Sequence, residues 1–210
     1  MSWDSVCYNS VMDNTQVKQG YNKAAENYDA ERNQFKNDKY LEKLNSLLAV
    51  NSLILDIGCG AGRPVDKFFV EKGHRVIGID LSEKMIELAK RNVPEADYSV
   101  RNMVELHTKE YHVDAVVSFY AIFHTPRETH QTILRKINSF LPRSGLILIS
   151  MGSSEWVGKE ENFHGAEMFW SHYGAEKNTE LVKNAGFETI VDEIDDTGGE
   201  KHQIILAKKM

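Results

Sequence analysis

From Asn51 onward, short apolar runs rich in β-branched residues alternate with segments whose apolar residues recur at three- and four-residue spacing. A period that switches between 2 and 3.6 predicts strands alternating with helices. Leu53 to Ile57 reads as the first strand. Val65, Phe68 and Phe69 then take helical spacing, and Gly73 closes that helix. "HRVIGID" (74–80) is a second strand, followed by a helix that Ser82 caps and that carries Met85, Ile86 and Ala89 on one face. "ADYSVRN" (96–102), "VDAVVSF" (113–119) and "GLILISM" (145–151) supply a third, fourth and fifth strand. Between the last two, "TPRE" predicts a helix start with Thr125 as N-cap, Pro126 in the first turn and Glu128 completing a capping box. Ile133, Leu134, Ile137 and Leu141 form its apolar stripe, and Pro142 stops it.

Leu181, Val182 and Ala185 mark one more helix, ended by Gly186. "FETIVDE" and "HQIILAKK" follow with only the turn-rich "DDTGG" between them, so they are expected to pair as an antiparallel hairpin at a sheet edge. Strand–helix alternation otherwise implies a parallel sheet with helices on both faces. The expected fold is therefore α/β, a Rossmann-like seven-stranded, mostly parallel sheet with an antiparallel C-terminal hairpin strand.

Residues 1–50 stand outside the alternation and read as an N-terminal helical cap on a 51–210 ligand-binding domain. Val17, Tyr21, Ala24 and Tyr28 share one helical face within 15–48, as do Tyr40, Leu41, Leu44 and Leu48. Residues 152–174 read as an irregular insertion after the fifth strand, unusually rich in aromatic residues for a connection.

Charge narrows the field of ligands. The net charge of −6 comes with Lys and Arg interspersed among acids, so no basic stripe for nucleic acid is expected. No apolar run is long enough for a membrane span. The opening "MSWDSVCYNS" lacks the basic and apolar regions of a secretory signal. Two cysteines, Cys7 and Cys59, form no CxxC pair, and reduced thiols in a cytoplasmic protein are the simplest expectation. His124 and His130 are six apart and no HExxH exists, so no metal site is expected.

The chemistry concentrates in "LDIGCGAGRP", where Gly58, Gly60 and Gly62 end the first strand. Glycines there let a ligand approach the backbone, with helix N–H groups behind it. Asp80, at the end of the second strand, is placed to accept both hydroxyls of a ribose. The dinucleotide fingerprint GxGxxG needs glycine where Arg63 stands, and no GxxxxGK phosphate loop is present.

The ordered set "LDIGCGAGRP", "VIGIDLSEKMIELAK", "VVSFYAIFHTPRE", "LPRSGLILIS" and "YNKAAENYDAER" resembles the class I S-adenosylmethionine-dependent methyltransferases of the small-molecule type, over roughly residues 17 to 208. The resemblance implies S-adenosyl-L-methionine as cofactor. It implies that Asp56, Gly58 and Gly60 bound the pocket for its methionine part, that Asp80 holds the ribose and that Leu81 and Met85 pack near the adenine. Asn102 and Met103 stand at the third motif, where an acid is common in the family. Ser118 and Phe119 would line the methionine end.

Aromatic residues suit a sulfonium cation, which draws attention to two covers. The N-terminal helix offers Tyr21 and Tyr28, and residues 155–173 offer Trp156, Phe169, Trp170 and Tyr173 as an acceptor pocket. An alternative holds Phe169 and Trp170 to be core anchors. His124 or His172 would serve as general base. The absence of NPPY, of a Pro-Cys nucleophile and of a magnesium-binding Asp/Asp/Asn set leaves a small-molecule acceptor. A non-catalytic cofactor-binding or regulatory protein of the same fold is the rival expectation.

Overall fold

The computed structural model describes residues 14–31, 37–197 and 199–210. Cys7, the opening stretch and residues 32–36 of the N-terminal helical segment lie outside the described residues. The chain forms α1 (Asn14–Glu31), α2 (Asp38–Asn45), β1 (Leu53–Ile57), α3 (Val65–Glu71), β2 (Arg75–Asp80), α4 (Glu83–Asn92), β3 (Asp97–Val100), β4 (Ala115–Ser118), α5 (His130–Phe140), β5 (Leu146–Gly152), β6 (Trp156–Phe163), β7 (Ala166–His172), α6 (Ala175–Asn184), β8 (Phe187–Asp195) and β9 (His202–Lys209).

Seven strands make one sheet in the order β3-β2-β1-β4-β5-β9-β8. The first five run parallel, and β9 is antiparallel to both β5 and β8. Strands β4 and β5 are buried along their whole length, as expected for parallel strands covered on both faces. Alternate side chains serve alternate cores. Leu55, Val116, Ile147 and Ile205 pack with Ile133, Leu134 and Ile137 of α5 and with Val182 of α6. Ile54, Val117, Leu148 and Ile204 pack on the opposite face, with Leu41 and Leu44 of α2 and Phe69 of α3. Strand order reverses between β1 and β4, and ligands of such sheets bind at that point.

Two local expectations are corrected. The helix after β4 starts at His130, five residues beyond Thr125. Thr125 cannot cap it because its hydroxyl donates to the Ile122 carbonyl at 2.7 Å and closes the preceding 3₁₀ turn. Pro126 is extended (ψ 125°) and outside the helix. Residues 152–174 are not irregular. They contain the antiparallel hairpin β6–β7, which turns at His164 (φ 48°) and Gly165 (φ 90°). Two successive positive φ values match the turn whose twist suits a tight hairpin. Ala166, Met168 and Trp170 are buried at alternate positions along β7.

The hairpin is a separate two-stranded sheet that packs against α1. Their contact needs Gly20, because a Cβ there would lie 2.9 Å from the Glu167 carbonyl. Polar contacts hold the other side of α1. Asn22 accepts from Ser82 Oγ (2.6 Å) and from the Lys84 amide (3.1 Å), and it donates to Glu83 (3.1 Å). Lys18 pairs with the same Glu83. Among the described residues, no helix is long and apolar enough to cross a membrane.

Candidate active site

A cleft of about 650 Å³, part of it open to solvent, lies at the carboxyl ends of β1, β2 and β4. Gly58 (φ 79°) is its floor, and a Cβ there would fall 2.3 Å from the Ala121 Cβ. Asp80 leaves β2 with its carboxylate held by two amides, Gly60 N–H on Oδ2 (3.0 Å) and Ser82 N–H on Oδ1 (2.8 Å). Burial pushes this carboxyl up, and the Ser82, Gly60 and Leu81 amides hold it down. The carboxylate keeps accepting capacity toward the cleft. Leu81, Met85, Asn102 and Met103 line the same end. Asn102 Oδ1 accepts from the Val104 amide (3.1 Å) and its Nδ2 donates to Glu105 (3.0 Å), so local turn bonds fix its amide.

Phe119 lines both this cleft and an adjoining smaller hollow of about 370 Å³. That hollow contains Asp56, with Asp29 of α1 and Arg63 across it. Arg63 donates to Asp29 Oδ2 at 2.5 Å, while Asp29 Oδ1 is buried with no hydrogen-bond partner among the described residues. Sequence reading used Arg63 only to reject a dinucleotide motif and missed Asp29. The signal for Arg63 was its charge beside the glycine turn; Asp29 is 29 residues before Gly58 and only the docking of α1 brings it there. Ser118 lies beneath the floor, its hydroxyl donating to the Ile57 carbonyl (2.8 Å), and does not reach the cleft.

The aromatic cover is built from both expected sides. Tyr21 stands edge-on to Tyr28 (5.7 Å), to Phe163 at the hairpin tip (5.9 Å) and to His124 (5.2 Å). His124 Nδ1 lies 2.8 Å from the Phe169 carbonyl, and Nε2 lies 2.7 Å from the Tyr21 hydroxyl. A carbonyl only accepts, so Nδ1 carries the proton and Nε2 accepts the Tyr21 O–H. Burial pushes the His124 imidazole down to about 4, against the pull of the Phe169 carbonyl. Tyr120 also lines the cleft, with φ 56°. That conformation is strained for an aromatic residue, and its amide is pinned by Ser150 Oγ at 2.6 Å.

Three expected acceptor-site residues and one expected base fall elsewhere. Trp156, Trp170 and His172 line a second hollow, separated from the cleft by the His124–Trp170 contact (4.3 Å). His172 Nδ1 is held by the Ser154 carbonyl at 2.7 Å. Tyr173 packs over Arg127 (5.0 Å) and against the α5 side of the core. The reason is the hairpin. Its tip and the first half of β7 pack on α1, at Phe163, Glu167 and Met168, whereas Trp156 and His172 at its base line the second hollow. Among the described residues, no group of three or more His, Cys, Asp or Glu side chains is arranged to hold a metal ion.

The fold is a Rossmann-like domain whose cleft presents a glycine turn and the Asp80 carboxylate side by side. Residues 54–145 match the family model of a methyltransferase domain. The chain is 22% identical over 142 residues to an uncharacterized methyltransferase of Oceanobacillus iheyensis, covering 68% of this chain and 59% of the relative. It is 28% identical over 160 residues to a probable S-adenosylmethionine-dependent methyltransferase of Mycolicibacterium smegmatis, covering 74% and 57%. Among solved structures, the 1,6-didemethyltoxoflavin-N1-methyltransferase of Burkholderia thailandensis superposes with a TM-score of 0.72 at 20% identity, over 100% of this chain and 92% of that one. The chain is thus similar to S-adenosylmethionine-dependent methyltransferases, with a methyltransferase-domain match over residues 54–145 and the same fold. It spans somewhat more than half the length of the two curated relatives described. Other relatives are named for methylation of ribosomal RNA, a sterol and phosphoethanolamine.

Proposed function

We propose that the protein binds S-adenosyl-L-methionine and transfers its methyl group to a small-molecule acceptor by in-line displacement. The residues present fit the cofactor. The Asp80 carboxylate would accept from the ribose hydroxyls, the orphaned Asp29 Oδ1 would take the ammonium and Arg63 the carboxylate of the methionine part. The bound sulfonium supplies the electrophilic methyl and its own leaving group. The chain's task is to exclude water, align the acceptor and take up its proton where it has one.

The observation that carries the reading is the Tyr21–His124 hydrogen bond at the roof of the cleft. His124 is neutral throughout the physiological pH range, so Nε2 keeps its lone pair. As an acceptor O–H or N–H is lost, its proton passes to the Tyr21 oxygen and the Tyr21 proton moves to Nε2. The aromatic walls of Tyr21, Tyr28 and Phe119, with Phe163 packed behind the two tyrosines, favour a cation and keep water out. A cleft of this volume between α1 and the carboxyl ends of the strands suits a small ligand rather than a polymer.

Single-turnover transfer of a labelled methyl group to a metabolite extract tests the reading. Tyr21→Phe is expected to keep cofactor affinity within about twofold and to slow transfer about 100-fold, the scale of general-base catalysis. Transfer at the parental rate would remove the Tyr21–His124 relay. Calorimetry showing NAD bound more tightly than S-adenosylhomocysteine would remove the cofactor assignment.

A further inference from the structure

Beyond the His124–Trp170 contact, a second hollow of about 640 Å³ opens between the base of the hairpin and the start of β9. Its walls are aromatic. Trp156 stacks on Trp170 at 6.2 Å and stands edge-on to His172 at 6.1 Å, and Phe123 packs behind Trp170 at 5.2 Å. Trp156 is nonetheless 43% exposed, leaving a ring face open toward the hollow's mouth. Gly152 makes the wall possible, since a Cβ there would fall 2.0 Å from His172 Nδ1. The Ser154 carbonyl then fixes the imidazole plane.

Two carboxylates complete the lining. Glu160 comes from β6 and Glu200 from the turn before β9. Neither forms an ion pair with a Lys or Arg among the described residues; Glu200 lies 3.6 Å from His202 Nε2 and also feels the His164 ring. Burial and then the Glu160 charge push the Glu200 carboxyl up. Lys201 also lines the hollow, but forms no ion pair with either acid among the described residues. Like charges converging beside aromatic faces are unfavourable until a cation sits between them.

We propose that this hollow is a second binding site, distinct from the cofactor cleft, for an organic cation such as a quaternary ammonium group. The ring faces of Trp156, Trp170 and His172 supply the cage, and Glu160 and Glu200 supply the counter-charge. The site touches the cleft through one wall. Trp170 lies against the His124 ring, and the preceding residue, Phe169, holds His124 Nδ1. A cation in the hollow therefore bears on the strand that orients the imidazole.

Calorimetry on the full chain without cofactor tests the site, with choline as probe and its uncharged isostere 3,3-dimethylbutan-1-ol as control. Choline is expected to bind saturably, and the isostere about tenfold or more weakly. Trp156→Ala, and separately the double variant Glu160→Gln with Glu200→Gln, are each expected to weaken choline about tenfold. The melting temperature of the Glu160→Gln, Glu200→Gln variant should not fall, since a like-charge contact is relieved, and S-adenosylhomocysteine affinity should stay at the parental value in both variants. No saturable heat from choline, equal binding of the isostere, or parental choline affinity in both variants would overturn the site. The assay contains no cofactor and no turnover, so its outcome is separate from that of the methyl-transfer reading.

Discussion

Asp80 shows how little freedom a single side chain has at this site. Both its oxygens accept backbone amides, from Gly60 and Ser82. An amide of the same shape would turn a donor toward one of those N–H groups, so Asp80→Asn is not conservative. We expect Asp80→Asn to weaken S-adenosylhomocysteine at least about tenfold. An unchanged dissociation constant in the folded variant would place the ribose elsewhere. Asp66 makes the converse case. It is fully buried on α3, and burial pushes it up to about 6, against the opposite pull of the neighbouring Asp56 and Tyr98 side chains. Its native value exceeds the unfolded one of 3.8, so the native state holds a proton that the unfolded chain has released. The resulting cost grows from pH 4 to pH 6 and persists above. Asp66→Asn should raise stability at pH 8 by about 1–3 kcal/mol and leave it nearly unchanged at pH 4. Equal melting-temperature shifts at the two pH values would refute this.

At the scale of elements, the sheet was legible because each strand carries its own period and its own stop. The glycine turn and Asp80 were legible because β1 and β2 end beside the point of order reversal. The hairpin was not. Lys159, Glu160 and Glu161 interrupt any apolar alternation along β6, whose face is mostly exposed. The signal that could have found it is His164-Gly165, two residues able to take positive φ between aromatic flanks. The TPRE motif misled for a different reason. A Thr hydroxyl serves one helix end at a time, and Thr125 is taken by the turn before it. Element α1 belongs to the site only while it stays docked, and Asn22 bridges it to the first turn of α4. Asn22→Ala should lower the free energy of local opening of α1 by about 1–2 kcal/mol. Amide exchange across residues 14–31 would accelerate while exchange in β4 and β5 stayed slow. Unaltered exchange in α1 would show that packing on the hairpin alone holds it.

For the molecule as a whole, three buried groups set the response to acid. His124 and His130 are both pushed down to about 4 by burial, from an unfolded value of 6.5. Their native values are depressed, so the stability each represents is present above pH 6.5 and is lost as pH falls toward 4, about 3 kcal/mol apiece. Asp66 relaxes over much of the same range with the opposite sign and offsets roughly one histidine. The parent should lose stability gradually between pH 6.5 and 4, and Asp66→Asn should lose it about twice as steeply. Thermal melts across that range decide the matter, and parallel profiles for parent and variant would contradict it. The hairpin has a consequence of another kind. It shares no ladder with the seven-stranded sheet, and it leaves and rejoins the chain between Gly152 and Gly174. What it gives His124 is a backbone carbonyl, which a strand of any side-chain sequence provides, and the packing of one large ring, Trp170. Residues 153–173 thus form an exchangeable cassette. A lineage could replace them wholesale, altering the guest admitted under α1, without retooling the half of the molecule that holds the nucleoside.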